Sequence, residues 1–367
     1  MRPTLQNLQA LRGIACLLVV CYHVGSWEGY VWSKWRPFHA FRWFGYAGVD
    51  VFFVLSGFII TWAHLDHLGR AKKLPRYLAR RLWRIYPVLW VSSVLGAALL
   101  GLFAGGDVFA AGWVANWVEW LLLVPRHEPS KFNPGTWSLY YEMMFYLAFG
   151  LLFLVPKRWA AVLGIAWAVG IVAAKFANVS PAAFWMYLPI SPFVLEFLAG
   201  TLVAAVVTRG FVRWSRAALA VALIWLGVFV TLLHGPTPDD LGGRFWARVV
   251  AFGPPCALIV YAVVAGEITG RVRLPRRLQA VGDASYSIYL MHLPVGITIM
   301  VVTIGMNTNL PTHLLWVALL LSGCLGSGWL LHVLVERPLL NRAKAKPPAP
   351  GAAKETAVGL PLPFSPR

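Results

Sequence analysis

The chain has 367 residues, 59% of them hydrophobic and 13% charged, with 32 Lys and Arg against 14 Asp and Glu for a formal charge of +18. An ordinary soluble domain has about 25% charged residues, so this composition excludes a water-soluble globule, and the apolar excess gathers in runs of membrane-spanning length. Nor does the basic excess point to nucleic acid, because Lys and Arg lie in short loops between apolar runs, where positive charge marks the cytoplasmic side of a membrane.

In chain order the apolar runs fall at about residues 8–24, 44–63, 85–103, 137–155, 159–174, 190–207, 217–233, 249–266, 286–305 and 314–334. They predict an all-α polytopic membrane protein of about ten transmembrane helices. An eleventh candidate, 108–124, is interrupted by Asn116 and Glu119. With ten crossings and a cytoplasmic N-terminus, Arg70, Lys72, Lys73, Arg76, Arg80, Arg81 and Arg84 face the cytosol in one loop. Lys157 and Arg158, the later basic loops and the basic tail join them, about three quarters of all Lys and Arg. If 108–124 crossed, every later basic loop would turn outward. That Trp-rich stretch is therefore expected to be re-entrant or interfacial on the outer side, with both termini cytoplasmic.

The first run follows a short basic start without a small-residue cleavage site and is expected to be retained. Residues 1–342 are expected to form one membrane-embedded domain, and the Pro-, Ala- and Lys-rich tail, 343–367, to be disordered. Cys16, Cys21, Cys256 and Cys324 lie inside apolar runs without metal-ligand spacing, so they read as packing residues, and no metal is expected.

Several ionisable residues sit where lipid would exclude them. Arg12 and His23 share the first run; eleven residues at 100° each is about three turns, which puts both on one helix face roughly 16 Å apart. The spans place Asp50 of GVDVFFVLSGFII and Glu142 of TWSLYYEMMFYL toward the outer leaflet with His23. Arg12, the Arg80, Arg81 and Arg84 group leading into Tyr86 and Pro87, and the start of GDASYSIYLMHLPV lie toward the inner face. Each has a bland reading: Asp50 as a cap or a partner for Arg12 or Arg42, Arg81 and Arg84 as topology determinants, His292 as a buried hydrogen-bonding histidine. A tunnel joining an anion-binding inner mouth to an acid/base outer chamber accounts for the set together. Ten spans with a polar axis also describe a transporter of a lipid-linked glycan or an anion, although no paired inverted repeat is visible.

Arg12 followed ten residues later by His23, then GVDVFFVLSGFII, the Arg81 to Arg84 pair with Tyr86 and Pro87, TWSLYYE and GDASYSIYLMH occur in the order seen in the acyltransferase family 3 membrane proteins, which the chain resembles over residues 5–342. That family O-acylates cell-surface and other carbohydrates and some antibiotics. The loop GRAKKLPRYLARRLWRIYPVLW and the form SLYYEMMFY look most like its exopolysaccharide-modifying branch. Two departures stand out. The commoner family form has two adjacent acidic residues in the fourth-span block, where this chain has Tyr141 and Glu142, and the soluble hydrolase-like domain fused to some members is lacking.

The resemblance implies transfer of an acyl group, most often from acetyl-CoA, to a sugar hydroxyl by a multi-pass protein of the bacterial inner membrane. No metal is involved, and polysaccharide-assembly proteins are candidate partners. On that implication Arg81 and Arg84, with Arg80 and Tyr86, hold coenzyme A at the cytoplasmic mouth, since forked guanidinium donors match phosphate oxygens, and Arg12 draws the thioester arm inward. His23 accepts the proton of the attacking hydroxyl, oriented by Asp50 or Glu142. Trp137, Ser138, Tyr286 and His292 are assigned to the acceptor, with Tyr286 or a backbone amide steadying the oxyanion. Direct transfer is favoured over an acyl-enzyme, because no Ser or Cys stands out beside His23.

Overall fold

Backbone groups in hydrocarbon must pair internally, and a chain of long apolar runs does this by forming helices. The computed structural model describes residues 5–31, 36–103, 117, 121–125, 133–232, 245–304 and 309–345, and among them every regular element is helical. The long helices are α1 (Gln6–Val31), α2 (Ala47–His64), α3 (Leu74–Phe103), α4 (Trp137–Leu151), α5 (Ala160–Phe176), α6 (Phe193–Thr208), α7 (Ser215–Leu232) and α8 (Phe245–Ile268). There follow α9 (Arg276–Asp283), α10 (Ser285–Thr303), α11 (Leu310–Leu331) and α12 (Arg337–Ala345).

Nine segments of the described residues are long and apolar enough to cross a membrane. The tenth expected span, α4, has 15 helical residues, fewer than the roughly 20 that cross a bilayer unaided. It is surrounded by protein: Leu139, Tyr140, Tyr141, Phe145, Tyr146 and Phe149 are all buried. By contrast α5 and α7 are mostly exposed and present their apolar residues to lipid. The protein is an integral, multi-pass membrane protein.

Charge-derived topology and packing agree. The ends expected to be cytoplasmic meet one another: the backbone N–H groups of Gln6 and Asn7 donate to Glu267 at the end of α8, and Lys157 after α4 pairs with Asp66 after α2 at 3.7 Å. The ends expected to be external also meet, Arg248 of α8 touching Tyr46 and Asp50 at the start of α2. Of 108–124, Trp117 and residues 121–124 fall among those described. There the Leu121 and Leu122 carbonyls accept from Trp90 Nε1 at 2.9 Å and Tyr86 Oη at 3.0 Å, both from the middle of α3. Leu121 is helical and Leu122 lies in the turn after it, and carbonyls at a helix end need such partners, as a re-entrant segment would. The rest of that stretch, with Asn116 and Glu119, and the tail beyond residue 345 lie outside the described residues.

Two glycines let α2 and α6 approach closely. A Cβ on Gly57 of α2 would lie 1.9 Å from the Phe197 carbonyl oxygen, and one on Gly200 of α6 would lie 1.9 Å from that of Val54. Small residues are what let membrane helices approach so closely. Gly200→Val is expected to destabilise the protein by about 1–3 kcal/mol or more, read as a lower unfolding midpoint in detergent; an unchanged midpoint would mean the two helices separate freely.

Candidate active site

Among the described residues, three cavities follow one another through the bundle, each sharing wall residues with the next. The innermost, about 40 Å³, is lined by Arg81 and Arg84 of α3, Arg12 of α1, Ser56 of α2, and Glu142 and Tyr146 of α4, with three aliphatic residues of α2. The Arg81 guanidinium stands over the Tyr146 and Tyr77 rings at 5.3 and 5.7 Å, contacts that favour a cation. Its Nη2 lies 3.4 Å from His64 Nε2, and His64 Nδ1 lies 3.1 Å from His67 Nδ1. A guanidinium only donates, so His64 accepts at Nε2 and holds its own proton on Nδ1.

The second cavity, about 50 Å³, shares Arg12, Ser56 and Glu142 with the first and adds Ser138, Ser285, Tyr286 and Tyr289. Glu142 accepts from Ser56 Oγ at 2.8 Å and from the Tyr146 hydroxyl. Below it, buried Glu336 accepts from Ser287 Oγ at 2.7 Å and lies 2.8 Å from His332 Nδ1, where α11 continues into a π-helical turn, His332–Glu336. Such turns inside α-helices often occur at functional positions.

The third cavity is the largest, about 210 Å³. It shares Val49 and Tyr289 with the second and is lined further by His23 and Tyr22 of α1, Tyr46, Trp137, Arg248 and His292. The helical period read from the sequence accounts for the path: Arg12 at one end and His23 at the other face the same interior. His23 Nδ1 lies 2.9 Å from the Val19 carbonyl one turn back, so the ring donates there and leaves Nε2 as the acceptor. The two imidazoles of His23 and His292 meet edge to face with centroids 5.0 Å apart.

Arg12, Arg81, Arg84, Glu142, Ser138 and Tyr286 thus share the two inner cavities, and His23, Trp137 and His292 share the outer one. Four expected placements differ. Glu142 groups with the arginines rather than with His23, because α4 starts at Trp137 in the outer chamber and Glu142 is more than one turn further in. Arg80 is exposed on the outside of α3, and Tyr86 turns its hydroxyl to the Leu122 carbonyl; neither lines one of these three cavities. Asp50 is fully buried but does not touch His23. It accepts from Arg248 Nε at 3.1 Å and from Nη2 at 2.7 Å, so the group orienting His23 is a main-chain carbonyl and not a carboxylate. Tyr286 donates to the Ile85 carbonyl at 2.9 Å, and Ser138 Oγ pairs with Tyr289 Oη at 2.8 Å.

Arg248 and Tyr289 are site residues that the sequence reading passed over. Arg248 stands immediately before an apolar run, where an arginine reads as a flanking charge, yet it is 9% exposed. Its guanidinium stands over the Tyr46, Phe193 and Trp137 rings at 5.0, 5.1 and 5.7 Å. The available signal was Asp50, since a carboxylate in an apolar run requires a cation and Arg12 and Arg42 were not the only arginines beside such a run.

Comparison with known proteins bears on the chemistry. The chain is 32% identical over 323 residues to the exopolysaccharide production protein ExoZ of Rhizobium meliloti, covering 85% of this chain and 95% of that one. It is 27% identical over 395 aligned positions to the acyltransferase MdmB of Streptomyces mycarofaciens, covering 97% of each. With the peptidoglycan O-acetyltransferase OatA of Listeria monocytogenes it shares 24% identity over 329 residues, 80% of this chain and 50% of that protein. No solved structure matches. A family described as Acyltransferase domain matches residues 5–332, and the chain therefore belongs to this acyltransferase 3 family and is a membrane acyltransferase.

Proposed function

We propose that the protein transfers an acetyl group from acetyl-CoA, supplied from the cytosol, to a hydroxyl of an exported or cell-surface carbohydrate at a bacterial inner membrane. The observation that supports this reading is the series of cavities with shared walls, guanidinium groups at one end and a bare imidazole nitrogen at the other. Arg81 and Arg84 hold the phosphates of the donor, and the thioester arm passes Arg12, Ser56 and Glu142 toward Val49 and Tyr289. The acceptor enters the outer cavity beside Trp137, and proteins of polysaccharide assembly present it.

His23 Nε2 takes the proton of the acceptor hydroxyl as that oxygen bonds to the thioester carbonyl carbon. The C–S bond then breaks, the proton passes to the departing thiolate, and ester and free coenzyme A remain. A sugar hydroxyl is a poor nucleophile, and a positioned base contributes about 10²- to 10⁴-fold. Transfer is direct on this reading, since no Ser or Cys is among the residues that line the cavity with His23. Asp50 contributes by fixing Arg248 at the cavity wall.

The test is transfer of labelled acetyl from acetyl-CoA by purified protein in detergent to glycan from the host, which a carrier would not perform. In the same preparation Arg81→Ala with Arg84→Ala is expected to weaken acetyl-CoA binding at least 10-fold, since hydrogen bonds to charged groups are worth about 1.5–3 kcal/mol each. Undiminished binding by calorimetry would return the pair to a role in topology alone.

A further inference from the structure

Two imidazoles face the outer cavity with nothing between them. His23 gives Nδ1–H to the Val19 carbonyl at 2.9 Å, and His292 gives Nδ1–H to the Tyr289 carbonyl at 2.6 Å. Carbonyls only accept, so each neutral ring has its proton on Nδ1 and offers Nε2 as an acceptor. Both rings line the 210 Å³ cavity, and their centroids are 5.0 Å apart. His292 is 1% exposed, and its Nε2 has no hydrogen-bond partner among the described residues. A buried acceptor left bare is costly, and packing alone would favour an apolar side chain at that position. A molecule with two hydrogen-bond donors in the cavity would satisfy both acceptors at once.

We propose that His292 receives a second hydroxyl of the acceptor, on the carbon next to the one being acylated, so that the enzyme selects vicinal diols. This rests on the reading of His23 as general base: one hydroxyl gives its proton to His23 while its neighbour is held by His292. Hydrogen bonds reach about 2.8 Å from each ring, and two rings this close draw the two oxygens onto adjacent carbons. His292 takes no proton in the reaction; it fixes the rotation of the acceptor about the reacting C–O bond. Trp137, lining the same cavity, supplies an apolar face for the sugar ring, and a site built to pair a hydroxyl discriminates strongly against an acceptor that lacks it.

The test separates the two ring nitrogens. In His292→Asn the amide nitrogen stands near Nδ1 and keeps the bond to the Tyr289 carbonyl, but nothing occupies the place of Nε2. In His292→Gln an amide oxygen reaches the place of Nε2. Wild type, both variants and His23→Gln are expressed in host cells lacking the gene, their membrane levels are matched, and acetyl per glycan repeat and its position are measured by NMR. His292→Asn is expected to lose roughly 10- to 100-fold of the acetylation rate and His292→Gln to keep most of it, with acetyl on a carbon whose neighbour bears a free hydroxyl. A structural role for His292 gives the reverse order. That reverse order, wild-type acetylation by His292→Asn, or acetyl on a hydroxyl without a free neighbour each overturns the proposal. Full acetylation by His23→Gln instead overturns the general-base reading, whatever the order of the two His292 variants.

Discussion

On the proposed function, acetyl transfer is expected to fall by roughly 10²- to 10⁴-fold in His23→Gln, the range that a positioned base contributes, while acetyl-CoA binding and the unfolding midpoint are expected to stay near those of the wild-type protein. The separation follows from the geometry. His23 is half-buried at the outer cavity and, among the described residues, its side chain hydrogen-bonds the Val19 carbonyl within its own helix, so a Gln there breaks no bond between described helices. Arg81 and Arg84, the proposed donor-binding arginines, line another cavity, which shares Arg12 and Glu142 with the next one. Rates are measured with labelled acetyl-CoA and host glycan, and binding by calorimetry. Transfer within twofold of wild type would remove His23 from the chemistry; a parallel loss of donor binding would move it to the donor path.

The second large effect concerns stability. Asp50→Ala takes from the buried Arg248 guanidinium the carboxylate it hydrogen-bonds, leaving it among Tyr46, Trp137 and Phe193 with the buried Glu196 as the remaining nearby acid, and removing one partner of a buried ion pair costs about 3–5 kcal/mol. A fall of that size lowers the unfolding midpoint in detergent and the amount of protein in the membrane. Replacing both members by apolar residues of similar volume, Asp50→Leu with Arg248→Met, removes the isolated charge and is expected to regain most of the stability. If Asp50→Ala alone is as stable as wild type, the pair does not hold α2 to α8, and Asp50 acts elsewhere in the cycle.

The helices were legible because a lipid-facing run announces itself by length and composition alone. Their aqueous extensions were not. Leu74–Phe103 begins eleven residues before its apolar run, since Arg76, Arg80, Arg81 and Arg84 continue the helix beyond the lipid, and hydropathy does not register helix outside hydrocarbon. Arg12 and His23 could be placed on one face because helical period is a local property. Partners across helices have no such signal. Asp50 and Arg248 are 198 residues apart, and nothing in either neighbourhood names the other. Glu142 illustrates a third limit: topology gives the direction of a span, but one turn of depth decides whether a carboxylate faces an arginine or a histidine, and packing alone sets that turn.

The passage from Arg81 and Arg84 to His23 is tested most directly by a structure of the protein in lipid with ethyl-CoA, a thioether that cannot transfer its group. The account predicts phosphates within hydrogen-bond reach of Arg81 and Arg84 and the ethyl group at the wall formed by Val49 and Tyr289, facing His23. Ligand bound at another surface, or a pantetheine arm that turns away before Arg12 and Glu142, would contradict it.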